Sequence, residues 1–304
     1  MTSAIHAHAQ HHPARVPAST SVSALLTAFD SQPRLSSSCP SLDALLTPSN
    51  PTNTAATTNG LSHSALLELV GPPGSGKTRV CLGFALASRF NAISQHQPQQ
   101  GQVLVFDAEG SLLPTLLKDS AELFADHHGH ASGAAQLACD GIHYRRVYDI
   151  SLLIANLYAL PKWLEEHREV RLIILDSLSC HLTPTALDRK TRGFVYSVIK
   201  STLEVVTAQY NVSVIVTTYT SLKLFSPDGH PTGFTLDAEA LLTPQLAESW
   251  IPQSVKSQRV VLYFDEDGER LAHLLSSTVN TRAAKAAFTI DALGPCDHPP
   301  VSLK

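Results

Sequence analysis

Several shortages in this 304-residue sequence exclude whole classes of protein. Charged residues make up only 16% and the net charge is −4, so no basic field covers the surface and any contact with nucleic acid must be local. The five cysteines are scattered and form no Cys-x-x-Cys pair, which argues against a zinc site and a disulfide framework and suits a reducing compartment. No apolar run approaches the roughly 18 residues of a membrane-spanning helix, so we expect no membrane partner.

Two stretches are too polar and too low in complexity to form a core. Residues 1–34 are rich in Ser, Ala, Pro and His, and we predict a disordered tail there. Residues 47–60 are rich in Thr and Asn and are predicted to be a flexible loop. The rest of the chain, residues 35–304 with that loop inside it, is predicted to be one domain. Its hydrophobic content, 43% over the whole chain, is enough for a sizeable core.

From residue 65 onward, continuous apolar runs alternate with segments of helical periodicity, which indicates an α/β fold with a mostly parallel sheet covered on both faces. The strands are predicted over residues 65–70, 102–107, 171–176 and 212–218. The helices are predicted over residues 79–90, 151–167 and 193–210, the second interrupted at Pro161. A strand–Asp-Gly–strand pattern over residues 259–275 predicts a hairpin, and therefore antiparallel edge strands near the C-terminus.

The stretch LLELVGPPGSGKTRV (residues 66–80) has the pattern of a phosphate-binding loop between a strand and a helix. Its glycines let the backbone approach phosphate closely, and the helix that follows directs its N-terminal dipole at the anion. Lys77 supplies a cation for the β- and γ-phosphates and is predicted to be catalytic, while the Thr78 hydroxyl suits Mg²⁺. The residues predicted to bind the nucleotide are Gly71, Pro72, Pro73, Gly74, Ser75, Gly76, Lys77, Thr78 and Arg79.

Two carboxylates that follow later strands complete the predicted site. Asp176 ends the apolar run RLIILD, where a carboxylate can hold Mg²⁺ together with Thr78. Glu109 follows the run QVLVFD and can orient and deprotonate the water that attacks the γ-phosphate. Asp107 is the alternative for that catalytic role. The sequence therefore predicts ATP and Mg²⁺ as cofactors.

These three elements, in this order and spacing, resemble the ATPase core of the RecA family, most closely its eukaryotic strand-exchange branch and the recombinase paralogues. The segment LSSSCPSLDALL (residues 35–46) is similar to the one that leads into that core. Later stretches are similar to the late motifs of the family, which fall on NVSVIVTTYT, on Leu246, Trp250 and Arg259, and on FTIDALG. The resemblance covers about residues 35–294.

The resemblance implies a RecA-like P-loop NTPase core, with the family's catalytic glutamate at Glu109 and its Mg²⁺ ligand at Asp176. It implies weak DNA-dependent ATP hydrolysis at a site that a neighbouring subunit completes. It also implies a nuclear protein of homologous-recombination repair. Its partners would be other RecA-like recombinase paralogues, the main recombinase and, mostly within such a complex, single-stranded DNA.

Departures from the family pattern lower the expected activity. Active recombinases usually have Asn-Gln where this chain has Thr218-Tyr219, and that glutamine senses the γ-phosphate, which Tyr219 cannot do in the same way. One candidate DNA-binding loop follows Asp176, and a second over residues 221–240 is largely acidic. The candidate DNA contacts are Arg189, Lys190 and Arg192 in the first loop and Lys223 in the second. We therefore expect an accessory subunit that helps to load or stabilise the main recombinase.

Two other functions stay open. A non-hydrolysing interaction module, in which ATP only stabilises an interface, is favoured by Tyr219. A P-loop phosphotransferase for small molecules usually carries an Arg-rich lid, for which only the pair Arg145-Arg146 is available away from the nucleotide motifs.

Overall fold

The computed structural model describes residues 21–23, 34–47, 59–182, 187–234, 237–246, 248–277 and 284–297. The chain divides into two units, residues 1–32 and residues 33–304. In the first unit, Val22 and Ser23 are helical. The predicted tail therefore lies almost entirely outside the described residues, as does most of the predicted loop at residues 47–60. The domain boundaries stay predictions.

A nine-stranded sheet forms the centre of the second unit. The described part of the chain contains the strands β1 (Ala65–Val70), β2 (Gln102–Asp107), β3 (Ile142–Arg146), β4 (Val170–Asp176), β5 (Ser213–Thr218), β6 (Thr220–Phe225), β7 (Glu239–Pro244), β8 (Lys256–Phe264), β9 (Arg270–Ser277), β10 (Lys285–Ile290) and β11 (Pro295–Asp297). All of them except β6 and β7 belong to this sheet. The sheet has the order β11-β10-β9-β8-β1-β5-β4-β2-β3. The strands from β8 to β3 pair in parallel, and β8 to β11 pair antiparallel. The predicted mostly parallel sheet with antiparallel edge strands is confirmed.

Helices cover both faces of this sheet. They are α1 (Pro40–Leu46), α2 (Lys77–Ser94), α3 (Pro114–His127), α4 (Ala134–Asp140), α5 (Ile150–Glu166) and α6 (Arg189–Tyr210). Leu67 and Leu69 of β1 pack into one core layer with residues of α1 to α4, and Leu66 packs into the other with α5 and α6. This alternation along one strand is the pleat of a sheet that is buried on both sides. Among the described residues, no helix has the length and apolar character needed to span a membrane.

The predicted interruption of α5 at Pro161 is wrong, because the helix continues through it. Proline removes one backbone hydrogen bond and costs roughly 3 kcal/mol inside a helix. The face of α5 that contacts the sheet carries four buried leucines, Leu153, Leu157, Leu160 and Leu164. Each contributes roughly 1.5–3 kcal/mol by burial, so packing exceeds the cost of the proline.

Residues 221–240, predicted to be a loop, are not a simple loop. They contain most of a two-stranded antiparallel ribbon, formed by β6 and β7 outside the main sheet. Leu222 lies opposite Leu242 across the ribbon, and both are exposed. Pairs of Val, Ile and Leu residues that face each other stabilise antiparallel strands. The Gly- and Pro-containing sequence between β6 and β7 led instead to the prediction of a loop.

The parallel strands place their carboxyl ends along one edge of the sheet. The phosphate-binding stretch follows β1, Tyr219 follows β5, Asp176 ends β4 and Glu109 follows β2. Because β1, β5, β4 and β2 are consecutive neighbours, the chain brings these four features together from positions that are far apart in sequence. In open α/β sheets, ligands bind at this edge.

Candidate functional site

The loop between β1 and α2 has the backbone shape of a cradle. Gly74 and Gly76 have φ angles of 82° and 103°, in the left-handed region that side chains disfavour. A Cβ atom on Gly76 would lie 3.0 Å from Cδ1 of Ile290, and one on Gly71 would lie 2.6 Å from the carbonyl oxygen of Leu262. The backbone conformation at Gly74 and Gly76 therefore disfavours any side chain, and at Gly71 there is no space for one.

Ser75 supports the assignment of a phosphate ligand to this cradle. Its side chain is 1% exposed, and its Oγ atom has no hydrogen-bond partner within the described part of the chain. An unsatisfied buried hydroxyl is costly, so a ligand oxygen there would stabilise it. Pro73 and Gly74 are exposed at the tip of the loop, and Arg79 is half-buried in the first turn of α2.

Lys77 lies folded over its own loop. Its Nζ atom donates hydrogen bonds to the carbonyl oxygens of Gly71 and Pro72, at 2.8 and 3.0 Å. The side chain is buried, and burial lowers the pKa of Lys77, against the opposing charges of Asp176 and Glu109. Phosphate oxygens would replace the two carbonyl oxygens as stronger, charged acceptors.

Asp176, at the end of β4, accepts hydrogen bonds from three hydroxyl groups. Its Oδ2 atom accepts hydrogen bonds from Thr78 Oγ1 at 2.7 Å and from Ser111 Oγ at 3.1 Å, and its Oδ1 atom accepts one from Thr217. The carboxylate is fully buried. Sequence reasoning missed Ser111 and Thr217, although both directly adjoin the predicted site in the stretches AEGSL and IVTT.

This donor set fits Mg²⁺. The ion takes oxygen ligands in octahedral geometry and keeps several waters, so one or two protein ligands suffice beside the phosphates of a nucleotide. Thr78 and Asp176 supply a hydroxyl and a carboxylate oxygen in contact with each other. In the described ranges, no group of three or more His, Cys, Asp or Glu side chains forms a metal cage.

The two candidates for the catalytic base differ in their surroundings. Asp107 is fully buried and accepts hydrogen bonds from Tyr144 Oη at 2.8 Å and from the backbone N of Gly110 at 2.5 Å. Burial and this contact raise the pKa of Tyr144 to about 12, so the phenol keeps its proton and stays a donor. Glu109 is exposed in the turn that Asp107 holds in place. The geometry favours Glu109 as the base, and that role stays a prediction.

Tyr219 contacts both halves of the site. Its hydroxyl donates a hydrogen bond to Oε1 of Glu109, and the Lys77 ammonium lies 4.6 Å from the centre of its ring. Its backbone N donates to Oγ of Ser179 at 2.9 Å, and its carbonyl oxygen accepts from the backbone N of Gln245 at 2.8 Å. Burial, together with Glu109, raises the pKa of Tyr219, so its phenol is protonated at neutral pH.

Arg189, Lys190 and Arg192 do not lie in a loop, as predicted, but in the first turn of α6. The helix begins early because Asp188 caps it, accepting hydrogen bonds from the backbone N of Lys190 and of Thr191 at 2.8 and 3.0 Å. Residues 183–186 of the predicted loop are outside the described residues.

The candidate DNA contacts are only partly brought together. Arg189 and Arg192 line the same cavity of about 350 Å³, which Tyr196 and Gln245 also line. Lys223 is exposed on the ribbon strand β6, opposite Leu241. The structure therefore offers a small cationic cavity wall on α6 and a separate single cation on the ribbon.

A buried ion pair that was not predicted includes Glu68 of β1, three residues before the phosphate-binding loop begins at Gly71. Glu68 of β1 is fully buried and accepts a hydrogen bond from Nε of Arg259 at 2.5 Å. Its other oxygen accepts one from Thr218 Oγ1 at 2.8 Å. The contact joins three neighbouring strands, β8, β1 and β5. The signal in the sequence was a single carboxylate within the apolar run LLELV.

Comparison with known proteins supports the predicted RecA-like core. The family described as an AAA domain matches residues 37–221. DNA repair protein RAD51 homolog 3 of Dictyostelium discoideum is 26% identical over 245 residues, which cover 76% of this chain and 58% of the relative. The homolog 3 of Cricetulus griseus is 24% identical over 209 residues, covering 63% and 52%. DNA repair protein RAD51 homolog 2 of Arabidopsis thaliana is 27% identical over 154 residues, covering 48% and 40%. The chain spans about half the length of these curated relatives.

Proposed function

This chain belongs to the AAA-domain family, with a RecA-like core related to the recombinase paralogues, and from that premise we propose that it binds ATP with Mg²⁺ and assists homologous-recombination DNA repair. The observation that carries the proposal is the contact of 2.7 Å between Thr78 Oγ1 and Asp176 Oδ2. It joins the end of the phosphate-binding loop to a strand 98 residues away. Beside Lys77, this arrangement matches what a nucleotide–Mg²⁺ complex requires.

Each residue of the site has a distinct task in ATP hydrolysis. Lys77 and the loop backbone bind the phosphates, and Thr78 with Asp176 holds the metal. Bound Mg²⁺ would supply positive charge to the phosphate oxygens. Glu109 orients a water and takes its proton while the water oxygen bonds to the γ-phosphorus and the bond to the bridging oxygen breaks.

The protein acts, on this proposal, as a nuclear accessory subunit and not as a self-sufficient strand-exchange motor. Its partners are other RecA-like recombinase paralogues and the main recombinase, which it helps to load or stabilise on single-stranded DNA. The charges favour a helper, because the ribbon has one exposed cation, Lys223, beside the exposed Asp228 and Glu239. Arg189 and Arg192 provide a modest contact for phosphates, and the partners in the complex supply the rest.

A second candidate function, a non-hydrolysing interaction module, is favoured by the hydrogen bond from Tyr219 to Glu109, because it engages the proposed base. Turnover of ATP with and without single-stranded DNA, compared with a Glu109→Gln variant, separates the two. Equal rates near zero would support the module. The phosphotransferase is disfavoured, since both candidate lid arginines are already engaged within the fold: Arg146 is bound to Asp107, and Arg145 donates to Asn156 at 3.0 Å.

Nucleotide binding is tested with a fluorescent ATP analogue, with and without Mg²⁺. We expect Lys77→Ala to abolish binding, and Thr78→Val to abolish its dependence on Mg²⁺. The matched control is Thr78→Ser, which keeps the hydroxyl and should bind as the wild type does. Equal Mg²⁺ dependence of the Val and Ser variants would contradict the proposed metal site.

The role in repair is tested by pull-down from DNA-damaged cells followed by mass spectrometry. Wild type is expected to recover RecA-like chains, and Lys77→Ala to recover fewer, because ATP at a subunit interface holds the complex together. Recovery of no RecA-like chain with the wild type would refute the proposed partners.

A further inference from the structure

Tyr219 connects the phosphate-binding half of the site to its hydrolytic half. Its hydroxyl is bonded to the carboxylate of Glu109, and its ring lies under the ammonium of Lys77. A single side chain therefore contacts both Lys77 and Glu109.

The backbone of Tyr219 is anchored on both sides. Its N–H group is bonded to Ser179, whose side chain is fully buried, and its carbonyl group is bonded to Gln245 at the base of the ribbon. The residue is therefore fixed at its Cα atom, and only the ring can swing. A substitution that keeps the ring, such as phenylalanine, should not disturb the fold.

The contact with Glu109 opposes general-base catalysis. A base must direct a free oxygen at the attacking water, but the phenol occupies Oε1 of Glu109, so that only Oε2 is left for this role. The hydrogen bond also fixes the direction in which the carboxylate of Glu109 points. The base is thus held in a position that lowers its reactivity.

We propose that Tyr219 is a positioning residue that restrains Glu109 until a γ-phosphate draws the Lys77 ammonium away from its ring. The inference rests on the proposed binding of ATP. Lys77 leaves the loop carbonyls for the phosphate oxygens, the ring loses its cationic contact, and the side chain swings away from Glu109. Nucleotide binding and hydrolysis are then separate steps, and the hydroxyl of Tyr219 couples them.

The kinetic test is the variant Tyr219→Phe, which removes the hydroxyl and keeps the ring over Lys77. We expect kcat for ATP to rise about tenfold, since one hydrogen bond to a charged acceptor is worth at least that factor. KM should stay within about twofold, because the ground-state contacts of the phosphates are unchanged. The control is Tyr158→Phe, an exposed phenol on α5, which should behave as the wild type. A Tyr219→Phe/Glu109→Gln double variant should lose the gain.

A second readout does not depend on turnover. The protein has seven tyrosines, so incorporation of 3-fluorotyrosine gives a small set of fluorine NMR signals. The signal that is missing in Tyr219→Phe identifies residue 219. It should shift when a non-hydrolysable ATP analogue with Mg²⁺ is added, and much less with ADP, because only the former carries a γ-phosphate.

The outcomes separate this inference from the proposed function. If the fluorescent analogue does not bind the wild type, the proposed function fails and the restraint fails with it. If it binds, but kcat of Tyr219→Phe does not exceed that of the wild type or the gain survives Glu109→Gln, only the restraint by Tyr219 is refuted. A fluorine signal that responds equally to ADP and the ATP analogue would also refute it.

Discussion

Replacing Glu68 by glutamine should destabilise the second unit strongly, although the residue touches no predicted ligand. Glu68 and Arg259 face each other on the paired strands β1 and β8, with side chains 0% and 4% exposed. Glutamine keeps the shape and the bond from Thr218 but removes the charge. The guanidinium of Arg259 then stays in the core and loses its ion pair with Glu68.

The expected loss follows from that burial. Removing one partner of a buried ion pair costs roughly 3–5 kcal/mol, because the charge that remains in a medium of low polarity has lost that ion pair. For a domain of this size, each kcal/mol lowers Tm by about 2–4 °C, so Glu68→Gln should lower it by roughly 6–20 °C. Removing both charges is different, since apolar residues of similar volume often replace a buried pair at little cost. The double variant Glu68→Met/Arg259→Met should therefore recover at least half of the loss.

The measurement is thermal and urea unfolding of the full chain at neutral pH, followed by circular dichroism. Glu165→Gln, an exposed carboxylate on α5, is the matched control and should change the free energy of unfolding by less than about 0.5 kcal/mol. The reasoning is refuted if Glu68→Gln costs less than about 1 kcal/mol. It is also refuted if the double variant loses as much as the single variants Glu68→Met and Arg259→Met added together, because the two charges would then act independently.

Three further predictions follow from single residues. Arg89 is 1% exposed and donates to four backbone carbonyl oxygens, that of Gln100 and three others at 2.7, 3.0 and 3.3 Å. Arg89→Lys should therefore lower the free energy of urea unfolding by about 3 kcal/mol, and a loss under about 1 kcal/mol would contradict this. Gly76→Ala and Gly74→Ala should both weaken binding of the fluorescent ATP analogue, because both positions have a positive φ. The effect of Gly76→Ala should be larger, because its Cβ would also lie 3.0 Å from Ile290, and equal effects would rule out that contact as a cause. Burial lowers the pKa of Lys77 from its ordinary 10.5, so nucleotide affinity should be full at neutral pH and fall as pH rises through that lowered pKa. Lys77→Arg stays charged and should remove the alkaline fall in a titration of Kd from pH 7 upward, and a fall that persists would assign it to another group.

The elements whose signals are local were predictable from the sequence. The strands β1 and β2 begin and end where their apolar runs do, at Ala65–Val70 and Gln102–Asp107. The phosphate-binding loop was predictable because its glycines, lysine and threonine act within eight consecutive residues. The start of α6 could also have been predicted, because Asp188 is a typical N-cap. The helix was instead predicted to begin at Gly193, because glycine is unfavourable inside a helix.

Contacts between distant segments could not be predicted from the sequence. Tyr219 and Glu109 are 110 residues apart, and they meet only because β5, β4 and β2 are neighbours in the sheet. No periodicity or motif gives that strand order. The partner of Glu68 likewise lies 191 residues away, on a strand that pairs with β1 only in the folded chain. Local patterns therefore identify the ligands of a site, and the topology decides which of them restrain one another.

The site divides into a binding half that is assembled and a hydrolytic half that is restrained. Thr78, Asp176 and Lys77 are already in mutual reach, while Glu109 is bonded to Tyr219. A subunit built in this way would hold ATP for a long time before hydrolysing it, which suits a protein whose ATP stabilises an interface. The helper and the non-hydrolysing module then differ in one quantity, the rate at which Tyr219 releases Glu109.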